Sequence, residues 1–579
     1  MVGLQSFAAY VKKFKKSPNE FASVGVAILS DSSSQYLVKA MVAAGIENKL
    51  NLSIYEAPYN QIYEELVQQD SPVFDASVSA LFLLTSQQKL YKKFLHTPTS
   101  QRIYFAQNHL QYLQQLGELA RSRSNAALVF CNYPDVNDEV FGNFANSHPA
   151  SFPYQLRQLN VLLMEWVSQT QNIYLADLAS LVARYGHANV MDNRLYLAND
   201  VVFALDFLPA VARALVQMVA VVKGNLKKCL ILDLDNTMWG GIIGDDGLES
   251  IELGDLGNGK AFVALQHWAK QLMQRGIILA VCSKNEAVVA REPFEKHPDM
   301  VLRMDDISVF VANWENKADN IRYIQKVLNI GFDSMVFVDD NPFERQVVRQ
   351  ELPDVTVPEL PDDPVEYLPF LQALRLFETT TFTTEDAGRT ELYKAEAQRQ
   401  MGLSLHTNYD AYLESLSIEA EVTGFVSQVV PRVAQLSQRS NQFNLRTIRY
   451  TEASASELAH SPHHTCLAVR LLDQFGDYGI IGIVVLKRNE DDALFIENWM
   501  MSCRVLKRGV EDMVLNLIVE AAQELGCKTV IGEYLPTKKN GMVKDHYKGL
   551  GFSAHHDGSW HLKTEGYVPR KHFITIKKN

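Results

Sequence analysis

Short, continuous runs of aliphatic residues recur along the first part of the chain, and amphipathic stretches separate them. The runs are residues 24–30, 51–55, 80–84 and 126–131. Continuous apolar runs of about four to eight residues are typical of strands that are buried on both faces of a parallel sheet. Helices cover such sheets, so the alternation predicts an α/β domain over residues 1–222.

A second group of apolar runs ends at acids and a hydroxyl. These runs and the residues that follow them are 229–232 with Asp233 and Asp235, 276–282 with Ser283, and 334–338 with Asp339. Ligands bind at the carboxyl edge of such sheets, so we expect these side chains at one site. Two neighbouring acids need a compensating cation, and Mg²⁺ with a substrate phosphate is the common case. A lone Asp-x-Asp would also fit a solvated turn, but the ordered set with Lys317 favours phosphate chemistry.

The last part of the chain has a different pattern. Residues 416–422, 466–473, 479–486 and 493–500 are predicted strands, and a helix that ends at Leu525 follows them. The last of these strands leads into a basic turn at the start of the helix, which is a general anion-binding arrangement. The basic and glycine members of this turn are Arg504, Lys507, Arg508 and Gly509.

Cys503 lies in the same turn, between a predicted strand end and a helix start. Nearby cations and a helix N-terminus lower a thiol pKa, so Cys503 is the candidate nucleophile that carries an acyl group. The alternative is that Cys503 is a small buried residue, as most free cysteines are. Cys282, next to Ser283, is the competing thiol.

Composition narrows the class of protein. The formal net charge of -12 argues against binding to nucleic acid. No apolar run approaches the roughly 20 residues that span a bilayer, and the first residues do not resemble a signal peptide. The six cysteines are scattered without zinc-site spacing. These features predict a cytoplasmic protein that does not bind membranes.

The predicted domains are residues 1–222, 223–378 and 412–579, with a helical linker over 379–411. Neither gap between the strands of the second domain is long enough for a separate lid domain. We therefore expect an open site, which suits large substrates or groups that are delivered on a carrier.

The order of acid, hydroxyl, lysine and acid resembles the haloacid dehalogenase (HAD) superfamily of phosphotransferases. The segments 232–247 (LDLDNTMWGGIIGDDG), 282–285 (CSKN) and 338–345 (VDDNPFER) resemble one branch, the FkbH-like proteins. The resemblance implies that Asp233 is the nucleophile and Asp235 the acid/base. It also implies that Asp233, the backbone carbonyl of Asp235, and Asp339 hold Mg²⁺. The same resemblance assigns the phosphoryl group to Thr237, Ser283 and Lys317.

The two flanking domains resemble other folds. The strand before Asp31, Ser32 and Ser33 is similar to the first block of SGNH-type esterases, but residues 199–208 lack the histidine that this family uses as a base. A catalytic Ser32 or Ser33 is the alternative to the non-catalytic domain that we predict. The last domain resembles GNAT-type acyltransferases, although its turn has fewer glycines than a standard coenzyme A loop. The ligand that we expect at this turn is a phosphopantetheine arm, which coenzyme A and acyl carrier proteins share.

FkbH-like proteins combine glyceryl transfer with phosphatase activity. The resemblance implies dephosphorylation of 1,3-bisphosphoglycerate and loading of a glyceryl unit on an acyl carrier protein for polyketide-type biosynthesis. One rival is a HAD phosphatase fused to an N-acyltransferase that modifies sugars or surface polysaccharides. Another is a non-catalytic scaffold of a biosynthetic complex, which the intact set of acids disfavours.

Overall fold

A computed structural model of the chain describes residues 4–15, 21–136, 138–380, 409–440, 442–489, 492–502, 505–537 and 539–578. The described part divides into two compact units, one within residues 2–223 and one within residues 224–579. Most of the predicted linker helix, residues 381–408, lies outside the described residues.

The first unit contains a five-stranded parallel sheet with the strand order β2-β1-β3-β4-β5. Its strands are β1 (Ala22–Ser30), β2 (Leu50–Glu56), β3 (Val78–Leu84), β4 (Ala127–Cys131) and β5 (Ile173–Ala176). The four predicted strands are present, and β5 is additional. The α/β fold class predicted from the alternation is confirmed.

Helices cover both faces of this sheet. They are α1 (Phe7–Lys13), α2 (Gln35–Glu47), α3 (Ile62–Val67), α4 (Gln87–His96), α5 (Phe105–Arg121), α6 (Phe152–Gln169), α7 (Leu178–Tyr185), α8 (His187–Val190), α9 (Asn193–Asn199) and α10 (Leu208–Val222). One hydrophobic core includes α2 and α10, and the other includes α5 and α6. The segment Leu205–Val222 has the length and composition of a membrane span, but 67% of it is buried and α10 packs on α2. We interpret α10 as a core helix.

The second unit begins with a four-stranded parallel sheet of order β8-β7-β6-β9. Its strands are β6 (Cys229–Leu232), β7 (Ile278–Ser283), β8 (Val309–Ala312) and β9 (Met335–Val338). Leu232 pairs with Val281 on one side and Val338 on the other, which aligns the carboxyl ends of three strands. Only a helix or two was expected between Ser283 and Lys317. That expectation was wrong, because β8 is a short edge strand in which buried and half-buried residues alternate.

The helices of this part follow the strands. They are α11 (Ile243–Asp246), α12 (Gly259–Gln274), α13 (Ala287–Lys296), α14 (Lys317–Leu328), α15 (Pro342–Glu351) and α16 (Tyr367–Ala373). Two of the starts have a side-chain cap. The amide oxygen of Asn316 accepts a hydrogen bond from Ala318 N at 2.9 Å, and that of Asn341 accepts one from Phe343 N at 2.9 Å. These caps fix the turns that carry Lys317 and the residues after β9.

The remainder of the second unit is built on an eight-stranded mixed sheet of order β15-β16-β14-β13-β12-β11-β10-β17. Its strands are β10 (Ile418–Thr423), β11 (His464–Asp473), β12 (Gly476–Arg488), β13 (Ala493–Met501), β14 (Thr529–Gly532), β15 (Ser553–Ala554), β16 (Trp560–Lys563) and β17 (Ile574–Lys578). Its helices are α17 (Tyr409–Ser415), α18 (Val430–Arg439), α19 (Glu452–His460), α20 (Val510–Glu524) and α21 (His546–Gly549). The β17 strand lies parallel to β10 at one edge of the sheet.

Candidate active site

A buried lysine joins two of the predicted acids at the carboxyl edge of the four-stranded sheet. Lys317 Nζ lies 2.9 Å from Asp233 Oδ1 and 2.6 Å from Asp339 Oδ2. Each of the three side chains is less than 10% exposed. Burial opposes the charge of Lys317, but the two carboxylates raise its pKa well above the ordinary range. Lys317 is therefore a charged ammonium group that compensates the two acids.

A third acid completes a cluster that could hold a metal ion. Carboxylate oxygens of Asp233, Asp339 and Asp340 lie within 4.8 Å of one another. Burial and the charge of Asp233 raise the pKa of Asp339 although Lys317 opposes this, and they raise the pKa of Asp340. Three converging carboxylates, with raised pKa values at Asp339 and Asp340, suit a hard divalent cation, because the cation would stabilise the ionised forms. Asp340 was not among the predicted ligands, although it follows Asp339 directly.

Thr237, predicted to bind phosphate, is fully buried beside Asp340. Its hydroxyl donates to Asp340 Oδ1 at 3.3 Å and accepts a hydrogen bond from Asp340 N at 3.1 Å. In this arrangement Thr237 fixes the turn after β6 against the turn after β9. It positions Asp340 relative to Asp233.

Three donors hold the side chain of Asp235. Trp239 Nε1 and Ile243 N each donate to Oδ1 at 3.0 Å, and Asn285 Nδ2 donates to Oδ2 at 2.7 Å. Burial raises the pKa of Asp235, the negative charge of Asp233 adds to this, and the donors oppose it. A carboxyl group with a raised pKa and a fixed orientation is suited to donate and accept a proton. Asn285 belongs to the 282–285 segment, but no role was predicted for it.

The loop after Asp235 turns sharply at Gly241. This glycine has a φ of +93°, and a Cβ atom there would lie 2.7 Å from Asp246 Oδ2. The same oxygen accepts a hydrogen bond from Ile242 N at 2.7 Å. A side chain at position 241 would therefore disturb the loop that places the Ile243 amide against Asp235.

Arg345, for which no role was predicted, stabilises the turn after β9 by bonding to its backbone carbonyl groups. It is buried, and its Nη1 donates to the carbonyl oxygens of Asp339 at 2.9 Å and Asp340 at 2.5 Å. Its Nη2 donates to Glu359 Oε1 at 2.6 Å. Arg345 is thus a positioning residue for the acids, and its role depends on contacts that only the folded chain brings together.

The residues at the end of β7 are also buried. Ser283, predicted to bind phosphate, is 1% exposed. Lys284 Nζ pairs with Glu344 Oε1 at 2.6 Å. The thiol of Cys282 donates weakly to Lys317 O at 3.7 Å, and burial raises the pKa of Cys282 above the usual range. Such a thiol is a poor nucleophile, so the geometry disfavours Cys282 as an acyl carrier.

The predicted basic turn near residue 505 is described in part. Cys503 and Arg504 lie outside the described residues. Lys507 and Gly509 both have a positive φ, of 64° and 79°, and Gly509 directly precedes α20. Arg508 is buried, and its guanidinium donates to the hydroxyl of Tyr478. The structure therefore places Arg508 in contact with the interior of the domain and Gly509 at the helix start.

The serines after β1 lie in a polar turn of the first unit. Ser32 is buried, and its hydroxyl lies 3.2 Å from that of Ser30. The backbone N–H of Ser33 donates to Asp200 O at 3.0 Å. A cavity lies beside these serines, and no histidine is among the described residues that line it. A serine without a base is a weak nucleophile, and the absence of hydrolysis by this domain stays a prediction.

Known proteins resemble the part of the chain that contains the two parallel sheets. Residues 25–220 match the sequence model of a family described as FkbH, N-terminal domain. The N-terminal part of the protein BF1531 from Bacteroides fragilis, which contains a phosphatase domain and was crystallised with Mg, is 43% identical. The match covers 66% of this chain and 100% of that chain, with a TM-score of 0.62. The chain belongs to the FkbH family. The predicted resemblance to FkbH-like proteins is confirmed for the family as a whole.

Two further structures resemble the C-terminal part of this FkbH-family protein only weakly. The ribosomal-protein-S18-alanine N-acetyltransferase from Escherichia coli is 12% identical, with a TM-score of 0.20 over 26% of this chain and 99% of that chain. A GNAT-family acetyltransferase from Staphylococcus aureus is 8% identical, with a TM-score of 0.21 over 25% of this chain and 99% of that chain. These TM-scores are too low to argue about activity. No curated protein matches the chain.

Proposed function

We propose that the second domain is a Mg²⁺-dependent phosphatase of the HAD type. The main support for this proposal is the buried cluster in which Lys317 lies 2.9 Å from Asp233 and 2.6 Å from Asp339. Phosphoryl transfer depends mainly on positioning and on neutralised charge, which such a cluster supplies. The BF1531 fragment, whose phosphatase domain was crystallised with Mg, supports the same activity and cofactor here.

In this proposal Asp233 attacks the phosphorus atom, the bond to the leaving oxygen breaks, and an aspartyl phosphate forms. Asp235 protonates the leaving oxygen and then takes a proton from the water that hydrolyses the aspartyl phosphate. Lys317 and Ser283 hold phosphoryl oxygens, and Thr237 orients the turn beside them. The raised pKa of Asp235 fits its role, because a proton donor must hold its proton until the bond breaks.

The residues present fit a magnesium ion. Asp233, Asp339 and the backbone carbonyl of Asp235 would hold it, and Asp340 lies close enough to join them. When bound, the ion neutralises negative charge on the phosphoryl oxygens. Arg345 keeps Asp339 and Asp340 in place from the other side of the turn.

The test is phosphate release by the purified full chain with Mg²⁺ and 4-nitrophenyl phosphate or 1,3-bisphosphoglycerate. Asp233→Asn keeps the shape of the side chain and removes the nucleophilic charge, so we expect release to fall at least about a thousandfold. The matched control is Asp255→Asn, at an exposed acid on the loop before α12, which should retain the wild-type rate. If Asp233→Asn releases phosphate like the wild type, the proposed nucleophile is wrong.

We further propose that the physiological substrate is 1,3-bisphosphoglycerate and that the acceptor is an acyl carrier protein in polyketide-type biosynthesis. This extends the family resemblance. The described residues between β6 and β7 form only α11, α12 and their loops, with no separate lid over the site. A site without a lid leaves room for a substrate attached to a carrier.

The proposed transfer balances without an oxidant. The enzyme thiolate attacks the acyl phosphate carbon, a C–S bond forms, the C–O bond to phosphate breaks, and phosphate leaves. The pantetheine thiolate of the carrier then attacks the same carbon, a new C–S bond forms, and the enzyme thiolate leaves. The phosphomonoester at the other end of the three-carbon unit is then hydrolysed at Asp233. We assign the enzyme thiol to Cys503 and the pantetheine-binding turn to Arg504, Lys507, Arg508 and Gly509.

Intact-mass analysis tests the acceptor. The enzyme, Mg²⁺ and 1,3-bisphosphoglycerate are incubated with a carrier protein that bears phosphopantetheine, and with the same carrier lacking it. The expected result is one glyceryl unit on the first carrier and none on the second. Modification of an added amine instead of the carrier would favour the N-acyltransferase alternative. We place the reaction in the cytoplasm, in keeping with the free cysteines in the described part of the chain.

A further inference from the structure

A cavity opens at the carboxyl ends of β1, β3 and β4 in the first unit. Ser30, Leu84 and Cys131, at or near the ends of these strands, line it. The sheet order reverses at β1, because β2 pairs with one side of that strand and β3 with the other. Ligands of open α/β sheets bind at such reversal points. The cavity and its open mouth together enclose about 630 Å³.

One wall of the cavity is apolar. It is formed by Phe203 and by the side chains of α10 that face the sheet, namely Leu208, Val211 and Leu215. No charged side chain is among the residues of the described part that line the cavity. A charged ligand would lose its hydration there without a counter-charge, so the site favours a neutral ligand with an apolar body.

The cavity also has polar lining residues, and a buried hydrogen-bond chain supports one of them, Thr85. Thr85, which lines the cavity, has its Oγ1 2.7 Å from the hydroxyl of Tyr133. That hydroxyl lies 3.1 Å from His109 Nε2. His109 is 6% exposed, and burial together with the charge of Lys93 lowers its pKa to about 3, so the imidazole is neutral.

The direction of this chain follows from the other ring nitrogen. His109 Nδ1 is buried, and no group in the described part of the protein bonds to it. A buried N–H without an acceptor is rarer in proteins than an acceptor without a donor, so the proton resides on Nε2. Nε2–H then donates to Tyr133, and the Tyr133 hydroxyl donates to Thr85. The Thr85 proton is then left for an acceptor other than Tyr133, and Thr85 lines the cavity.

We propose that this cavity binds a small neutral acyl compound, an amide or ester with a short hydrocarbon chain. The hydrocarbon chain of the ligand would contact Phe203 and α10, and its carbonyl oxygen would accept a hydrogen bond from the Thr85 hydroxyl. The ligand is bound intact, because no histidine among the described lining residues can activate Ser32. All the lining residues belong to the first unit.

The test uses the full chain and three probes of equal chain length: hexanamide, hexanoate and hexylammonium. Ligand-observed NMR titration measures their affinities. Hexanamide should bind saturably, and the two charged probes should bind at least about tenfold more weakly, since their desolvation is not compensated. Absence of saturable hexanamide binding, or equal affinity for hexanoate, would overturn the proposal.

Two variants locate the binding. Thr85→Val removes the donor and keeps the shape, so hexanamide affinity should fall about five- to tenfold. Val202→Phe, at a half-buried lining position, should block the cavity and abolish binding even if Thr85→Val does not fold. The control is Thr97→Val, because the Thr97 hydroxyl donates to Lys93 O away from the cavity. Wild-type affinity in either test variant would contradict the assignment.

Discussion

Removing the charge of Lys317 should destabilise the metal-free protein and make it depend on Mg²⁺. Lys317 Nζ lies 2.9 Å from Asp233 and 2.6 Å from Asp339, and the three side chains are almost completely buried. Lys317→Met keeps an unbranched side chain that is one atom shorter, and it leaves two buried carboxylates without their cation. The perturbation therefore tests whether this lysine compensates the acids.

The magnitude follows from the geometry. At an effective dielectric constant of about 20, each of the two pairs has a Coulomb energy of about 6 kcal/mol. The cost of desolvating the charges offsets most of this energy, and removing one partner of a buried pair costs about 3–5 kcal/mol of unfolding free energy. For a domain of this size we expect the unfolding midpoint to fall on the order of 10 °C.

The assay is thermal unfolding of the full chain, followed by near-UV circular dichroism in EDTA and in Mg²⁺. In EDTA the midpoint of Lys317→Met should lie well below that of the wild type. Added Mg²⁺ should raise the midpoint of the variant more than that of the wild type, because the ion binds the folded state and replaces the missing cation. The control is Lys326→Met on the exposed side of α14, which should change stability by less than about 0.5 kcal/mol. Equal midpoints for Lys317→Met and wild type in EDTA would refute the reasoning.

Three further outcomes are expected. A fluorophosphonate probe should leave Ser32 and Ser33 unlabelled, and stoichiometric labelling detected by peptide mass spectrometry would show that the first unit is catalytic. Cys503→Ala should retain phosphate release and lose loading of the carrier protein; loading at the wild-type rate would exclude a covalent route through this thiol. Cys282→Ala should still load the carrier, since the Cys282 thiol is buried with a raised pKa, and loss of loading with intact phosphate release would reverse the assignment.

The sequence was most informative where local pattern and chemistry coincide. The run before Asp233 is a buried strand of only four residues, yet its apolar character and the motif after it were enough to place it. The acids after β6 and β9 could be expected at one edge, because parallel strands align their carboxyl ends. The roles of these residues stay predictions.

Other features depend on contacts between distant segments. The short edge strands β5 and β8 have four residues each and no distinctive pattern. An arginine is usually expected on the surface, but the fold buries Arg345 beside the turn that carries Asp339. The hydrogen bonds that link Thr85, Tyr133 and His109 join three segments that are distant in the sequence. Neither their existence nor their direction can be inferred from sequence spacing.

The parallel pairing of β17 with β10 has a consequence for self-association. Strand edges expose unpaired backbone groups that can recruit other chains, and lysines on an edge oppose this. Lys577 lies on β17 and pairs with Glu419 of β10 at 2.6 Å. A truncation that removed residues 574–578 would leave β10, with its buried Ile418 and Ala420, as a new edge. Shortened versions of the chain would then be prone to precipitate through strand addition, even with the phosphate site intact.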